Sequence, residues 1–92
     1  MEMSLEEQDE IVKNRINTVL EHFTQQVEKI NEMRKENPEY VISEFSLQIP
    51  EKGQNLTGQG LKEDLKRITA LYLSLMAEYE KFKDWIAERV DK

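Results

Sequence analysis

One stripe of apolar residues constrains this chain more than any other feature. Leu61, Leu65, Ile68, Tyr72, Leu75, Tyr79, Phe82, Ile86 and Val90 follow one another in alternating steps of four and three until the last. That alternation is a seven-residue repeat, and it places these side chains on a single seam of a helix. A helix with such a seam is unstable alone and must bury it against a second amphipathic surface.

The N-terminal third supplies that surface. Leu5, Val12, Ile16, Val19, Leu20, Phe23, Val27, Ile30 and Met33 fall on one helical stripe. Ser4 and Glu7 have the spacing of a capping box. Glu6, Glu7, Asp9 and Glu10 crowd the first turns and Lys29, Arg34 and Lys35 the last, which suits the helix dipole. Asn37-Pro38 ends the pattern, because a residue before proline is pushed out of the helical region. The first helix is thus expected over about residues 4–36. The second is expected from about 60 to 91, with Glu63 and Asp64 in its first turn.

Between them lies a connection over residues 37–60. In Tyr40–Pro50 the residues alternate: Val41, Phe45, Leu47 and Ile49 on one face, Ile42, Glu44, Ser46 and Gln48 on the other. Alternation with β-branched and aromatic content predicts a short β-like segment with the first face covered. A lone strand needs its edges managed. It can pair with the same segment of a second chain, lie along the helices, or offer an edge to a partner protein.

The expected fold is therefore mainly all-α. A single domain over residues 1–92 holds two long helices forming a hairpin, joined by the connection with its β-like segment. Helix direction is open. Antiparallel packing sets Glu6, Glu7, Asp9 and Glu10 near Lys83, Arg89 and Lys92, and Arg34 and Lys35 near Glu63 and Asp64. Charge favours that arrangement, although each helix satisfying its own dipole would give the same pattern. The connection is also long enough to run back along a helix and leave the two parallel.

Helix two carries more apolar surface than one partner covers. Leu71, Leu73 and Met76 flank the seam and Trp85 lies off it. These four are the candidate oligomer interface, and a homodimer forming a four-helix bundle is the expected assembly. The alternative is that the connection covers Leu73 and Trp85 within one subunit.

Composition narrows the function. The net charge is −6, with nine acids against five bases in residues 1–36 and seven of each in residues 61–92. That balance argues against a general nucleic-acid or anionic-membrane surface. Cysteine is absent, which excludes disulfides and thiolate chemistry. The N-terminal stretch shows no signal-peptide pattern, and the longest near-apolar run, Ala70–Ala77, is too short to span a bilayer. A soluble, cytoplasmic protein is expected, in which the Asn55-Leu56-Thr57 sequon is incidental.

The candidate catalytic and cofactor motifs are each incomplete. His22 is the only histidine and has no metal-ligand partner at helical spacing. Gly53 and Gly58 have the spacing of a phosphate-binding loop, but Gln59-Gly60 stands where Lys then Ser or Thr is required. Glu7/Glu10 and Glu88/Asp91 have magnesium-binding spacing, yet Glu7 and Glu10 lie opposite the apolar stripe. Ser4, Ser43, Ser46 and Ser74 belong to no nucleophile motif. No enzyme activity and no cofactor are expected. The reading is a non-enzymatic protein–protein interaction module, a small helical homo-oligomer serving as adaptor, assembly or structural component. A small acidic inhibitor, of the sort mobile elements encode, that occupies a basic or nucleic-acid-binding surface of a target is the alternative.

Overall fold

The computed structural model describes residues 3–90, so the expectations that involve Asp91 and Lys92 lie outside the described residues. Helix α1 spans Leu5–Glu36, a single 3-10 turn spans Glu44–Leu47, and helix α2 spans Gly58–Val90.

Helix α1 begins and ends as its sequence dictates. Ser4 is extended and its hydroxyl accepts the Glu7 N–H at 3.1 Å. At the other end Asn37 leaves the helical region, and its side-chain amide donates to the Met33 carbonyl at 2.9 Å. Helix α2 starts two residues before the expected Gly60. Gly58 has φ 52°, a left-handed conformation that glycine adopts without strain. Its N–H donates to the Asp9 carboxylate at 3.0 Å, so an orphan donor of α2 is satisfied from α1.

The two helices pack against each other along their length, as a two-helix fold requires. Their direction reverses the charge-based expectation. Asp9 meets Gly58 at one end, 49 residues on; Phe23 meets Tyr72 midway, ring centres 6.3 Å apart; Glu39 meets Arg89 at the far end at 3.6 Å. Near-constant offset means the chains run parallel. The terminal charges serve each helix's own dipole, an effect confined to the first and last turns. Parallel packing obliges the connection to return along the whole molecule, about 48 Å at 1.5 Å per helical residue. Residues 37–57 reach ~70 Å if extended, which leaves slack for a turn. The result is slender, 60 × 25 × 16 Å.

The seam of α2 divides in two. Leu61, Ile68, Leu75 and Phe82, seven apart, are buried. Leu65, Tyr72, Tyr79 and Ile86, interleaved with them, are half-buried. Leu75 and Phe82 share a cluster with Ile42 and Leu47 of the connection, and Leu56 of the connection packs against the cluster of Leu61 and Ile68; Leu65, Tyr72, Tyr79 and Ile86 lie at the margins of these clusters. Ile16, Phe23, Val27 and Ile30 complete the core from α1, while Leu5 and Val90 at the ends of the stripes are exposed.

The β-like segment does not form: among the described residues there is no strand. Residues 44–47 close a 3-10 turn, and period-two alternation therefore fails. Ile42 (5% exposed) and Leu47 (7%) are the buried side chains, whereas Val41 (88%), Phe45 (79%) and Ile49 face solvent. Of the face expected to be covered, only Leu47 is. At three residues per turn, Phe45 and Leu47, which a strand would set on one face, point to different sides, so burying Leu47 turns Phe45 outward.

Candidate interaction surface

The turn that presents Phe45 is built from small parts and pinned on both sides. The Ser43 hydroxyl accepts the Phe45 N–H at 3.2 Å, and the Ser43 carbonyl accepts the Ser46 N–H at 3.0 Å. Ile42 and Leu47 anchor it in the main core beside Phe23, Val27, Ile30, Leu75 and Phe82. Burying two such side chains contributes roughly 1.5–3 kcal/mol each. Arg34 on α1 pairs with Glu44 at 2.6 Å. Just upstream, Tyr40 stacks on Phe82 at 4.3 Å and tilts against Trp85 at 5.0 Å.

The downstream end is held by a polar clip. The Asp64 carboxylate is buried and accepts the Gly53 N–H at 2.9 Å. Arg67 donates to the same carboxylate at 2.8 Å and to the Glu51 carbonyl at 2.6 Å. Burial by itself raises the Asp64 pKa; the Gly53 hydrogen bond and the hydrogen bond and charge of Arg67 together outweigh it and hold the carboxyl below its ordinary value. A Cβ at Gly53 would meet the Leu56 side chain, which would have to move to admit it. Both ends of the glycine-rich loop thus give an N–H to a carboxylate, Gly53 to Asp64 and Gly58 to Asp9. Those donors are already engaged by acids of the protein itself.

Between these anchors lies an open apolar surface. Phe45, Ile49 and Leu71 border a depression of ≈ 550 Å³ that Gln48, Pro50, Glu51 and Arg67 complete. Chemically it offers an aromatic ring, two branched aliphatics and a polar rim. That lining is suited to contact with another apolar surface.

The four residues of the candidate oligomer interface are spread around α2. Leu71 belongs to the Phe45 surface. Leu73 is 62% exposed and lies about 160° round α2 from the buried Leu75 at ~100° per residue. Met76 is half-buried. Trp85 is taken within the subunit by Tyr40, with the Arg89 guanidinium 4.5 Å from its ring centre. Among the described residues no group of three or more His, Cys, Asp or Glu side chains is placed to hold a metal. Glu7 and Glu10 are exposed, as is Glu88, and Asp91 lies outside the described residues.

Sequence reasoning missed Asp64, Arg67 and Gln26. Asp64 and Arg67 carried no signal, since charged residues near a helix start are ordinary. Gln26 did carry one: it interrupts the apolar stripe between Phe23 and Val27. Among the described residues no helix is long and apolar enough to cross a membrane. Compared with known proteins, the chain matches no family model, no curated protein and no solved structure.

Proposed function

We propose that this protein is a non-enzymatic protein–protein interaction module that acts as a homodimer, with the Phe45–Ile49–Leu71 surface as its docking face. One observation carries the reading: Phe45 is 79% exposed while its neighbours Ile42 and Leu47 are buried. A pinned turn has already met the cost of ordering the backbone that carries the aromatic ring, which favours contact. Clustered apolar exposure of this kind marks interaction surfaces.

The test is molecular mass in solution by light scattering over a wide concentration range. The expected result is a dimer for the native chain and a folded monomer for Phe45→Ser, with the two melting temperatures equal at concentrations where both are monomeric. Leu73→Glu examines the opposite face, with Glu80→Lys as its exposed control. A dimer that survives Phe45→Ser and falls apart in Leu73→Glu moves the interface to the back of α2. A native chain monomeric throughout removes the self-association.

A second reading is an acidic inhibitor of a basic surface. Glu6, Glu10, Glu21 and Glu28 are exposed and enter no ion pair among the described residues, which favours it. Binding to its target would then collapse as salt rises, because exposed charges are screened within about 8 Å at physiological ionic strength.

A further inference from the structure

The groove between α1 and α2 on the side away from the connection is open, and its chemistry is unlike the rest of the molecule. Toward the helix N-termini, Ile11, Val19, Leu65 and Thr69 line an apolar depression of ≈ 500 Å³ with Arg15 at its rim. Further along, His22, Gln25, Gln26, Lys29 and Tyr72 line a cleft of ≈ 270 Å³. Gln26 is 7% exposed, and its Nε2 donor has no acceptor. A buried donor left unpaired costs roughly 1–3 kcal/mol, so its retention calls for a reason.

Charge gives the second observation. Arg15, His22 and Lys29 are seven residues apart and therefore share one face of α1, and all three are exposed. Arg15 and Lys29 enter no ion pair among the described residues. Lys29 and Lys83 instead sit 5.9 and 5.2 Å from the Tyr79 ring centre. Glu21 and Glu28 precede His22 and Lys29 by one residue each, about 100° round the helix, and Glu36 continues the seven-residue series past Lys29. No Asp or Glu lines either depression. A chain of net charge −6 thus keeps a positive, partly apolar groove.

We propose that this groove docks an acidic amphipathic helix of another protein. Apolar side chains of that helix fill the depression at Ile11, Val19 and Leu65, and one of its carboxylates enters the cleft at Gln26 and Lys29. The Gln26 amide, the Lys29 ammonium and the Tyr72 hydroxyl all supply donors, and a single ammonium matches a single carboxylate. The cleft lies below the ~300–1,000 Å³ of small-molecule sites, which suits a side chain. From Arg15 to Gln26 is about 16 Å along α1, or three turns of a guest helix lying in the groove. The proposal concerns a different surface from the Phe45 face and stands or falls separately from it.

The test uses three synthetic capped peptides of about 20 residues, long enough to hold helix. One carries leucines at three- and four-residue spacing and a Glu three turns on; the second has Gln, and the third Lys, in place of that Glu. Binding is followed by the NMR signals of the Gln26 side-chain amide and the Lys29 side chain. The Glu peptide should shift both. The Gln peptide should bind about tenfold more weakly, equivalent to ~1.4 kcal/mol, and the Lys peptide not at all. Lys29→Ala should weaken the Glu peptide to the level of the Gln peptide. Gln26→Leu should abolish that discrimination while raising the melting temperature, since it removes an unpaired buried donor. Three results would overturn the proposal: equal binding of the Glu and Gln peptides, a Gln26→Leu variant less stable than the native chain, or shifts of the same signals with protein concentration alone. The last would assign the groove to a second copy of this chain.

Discussion

The Asp9 carboxylate accepts the backbone N–H of Gly58 at 3.0 Å, so a side chain of the first helix caps the second. Only parallel helices with adjacent N-termini permit this. Parallel dipoles repel, and an acid between two helix starts offsets part of that cost. Asp9→Ala should destabilise by about 1 kcal/mol, as loss of a cap does. In a domain of this size that is roughly a 4–8 °C fall in melting temperature. Amide exchange should accelerate at Gly58 and Gln59 and not at Asn37, the other end of the fold.

Asp64 predicts acid sensitivity. Its carboxyl titrates below the ordinary aspartate value of 3.8 when folded. A group with a lowered folded pKa binds its proton more readily unfolded, so its stabilisation is present above 3.8 and is lost as pH falls through the folded value. Urea midpoints for the native chain and Asp64→Asn should differ at neutral pH. The gap should close progressively below about pH 4. A gap that is constant down to pH 2 would show that the charge of Asp64 is irrelevant to the clip.

Phe45 and Ile42 should behave oppositely despite lying three residues apart. Phe45→Ser changes a side chain exposed in the subunit and, compared at concentrations where both chains are monomeric, should alter stability by no more than ~0.5 kcal/mol. Ile42→Ala or Leu47→Ala removes a buried anchor and should cost about 2–5 kcal/mol. Hydrogen exchange should then quicken over residues 40–49, with the middles of both helices still protected.

Trp85 is the only tryptophan and reports on the connection directly. Tyr40→Ala removes the ring that stacks on Phe82 and leans on Trp85. Trp85 emission should shift to the red as water reaches the indole. Stability should fall by the lost burial plus about 0.5–1.5 kcal/mol for the aromatic contacts. An unchanged spectrum would mean that the connection does not pack there in solution.

The two helices were legible from residues alone because period, caps and breakers are local properties. The stripe from Val12 to Met33, the Ser4 cap and the Asn37-Pro38 stop each act within a few residues, and the structure places the first helix accordingly. Direction was not legible. Charges at helix ends satisfy their own dipoles, so Glu6 and Arg34 look the same whether the partner runs up or down. The connection misled for a related reason: alternation from Val41 to Ile49 fits a strand, but a strand needs a neighbour to pair with, and none is present among the described residues. Ile42 and Leu47 instead found the groove between α1 and α2, and that choice turned Phe45 to water. The same tertiary choice buried Leu61, Ile68, Leu75 and Phe82 while leaving Leu65, Tyr72 and Tyr79 on the open side, although all seven share one seam. Local sequence determined that this chain makes two amphipathic helices. The path of the connection across one of their two grooves decided which apolar residues became core and which became surface, because only one groove can be filled by a single returning chain.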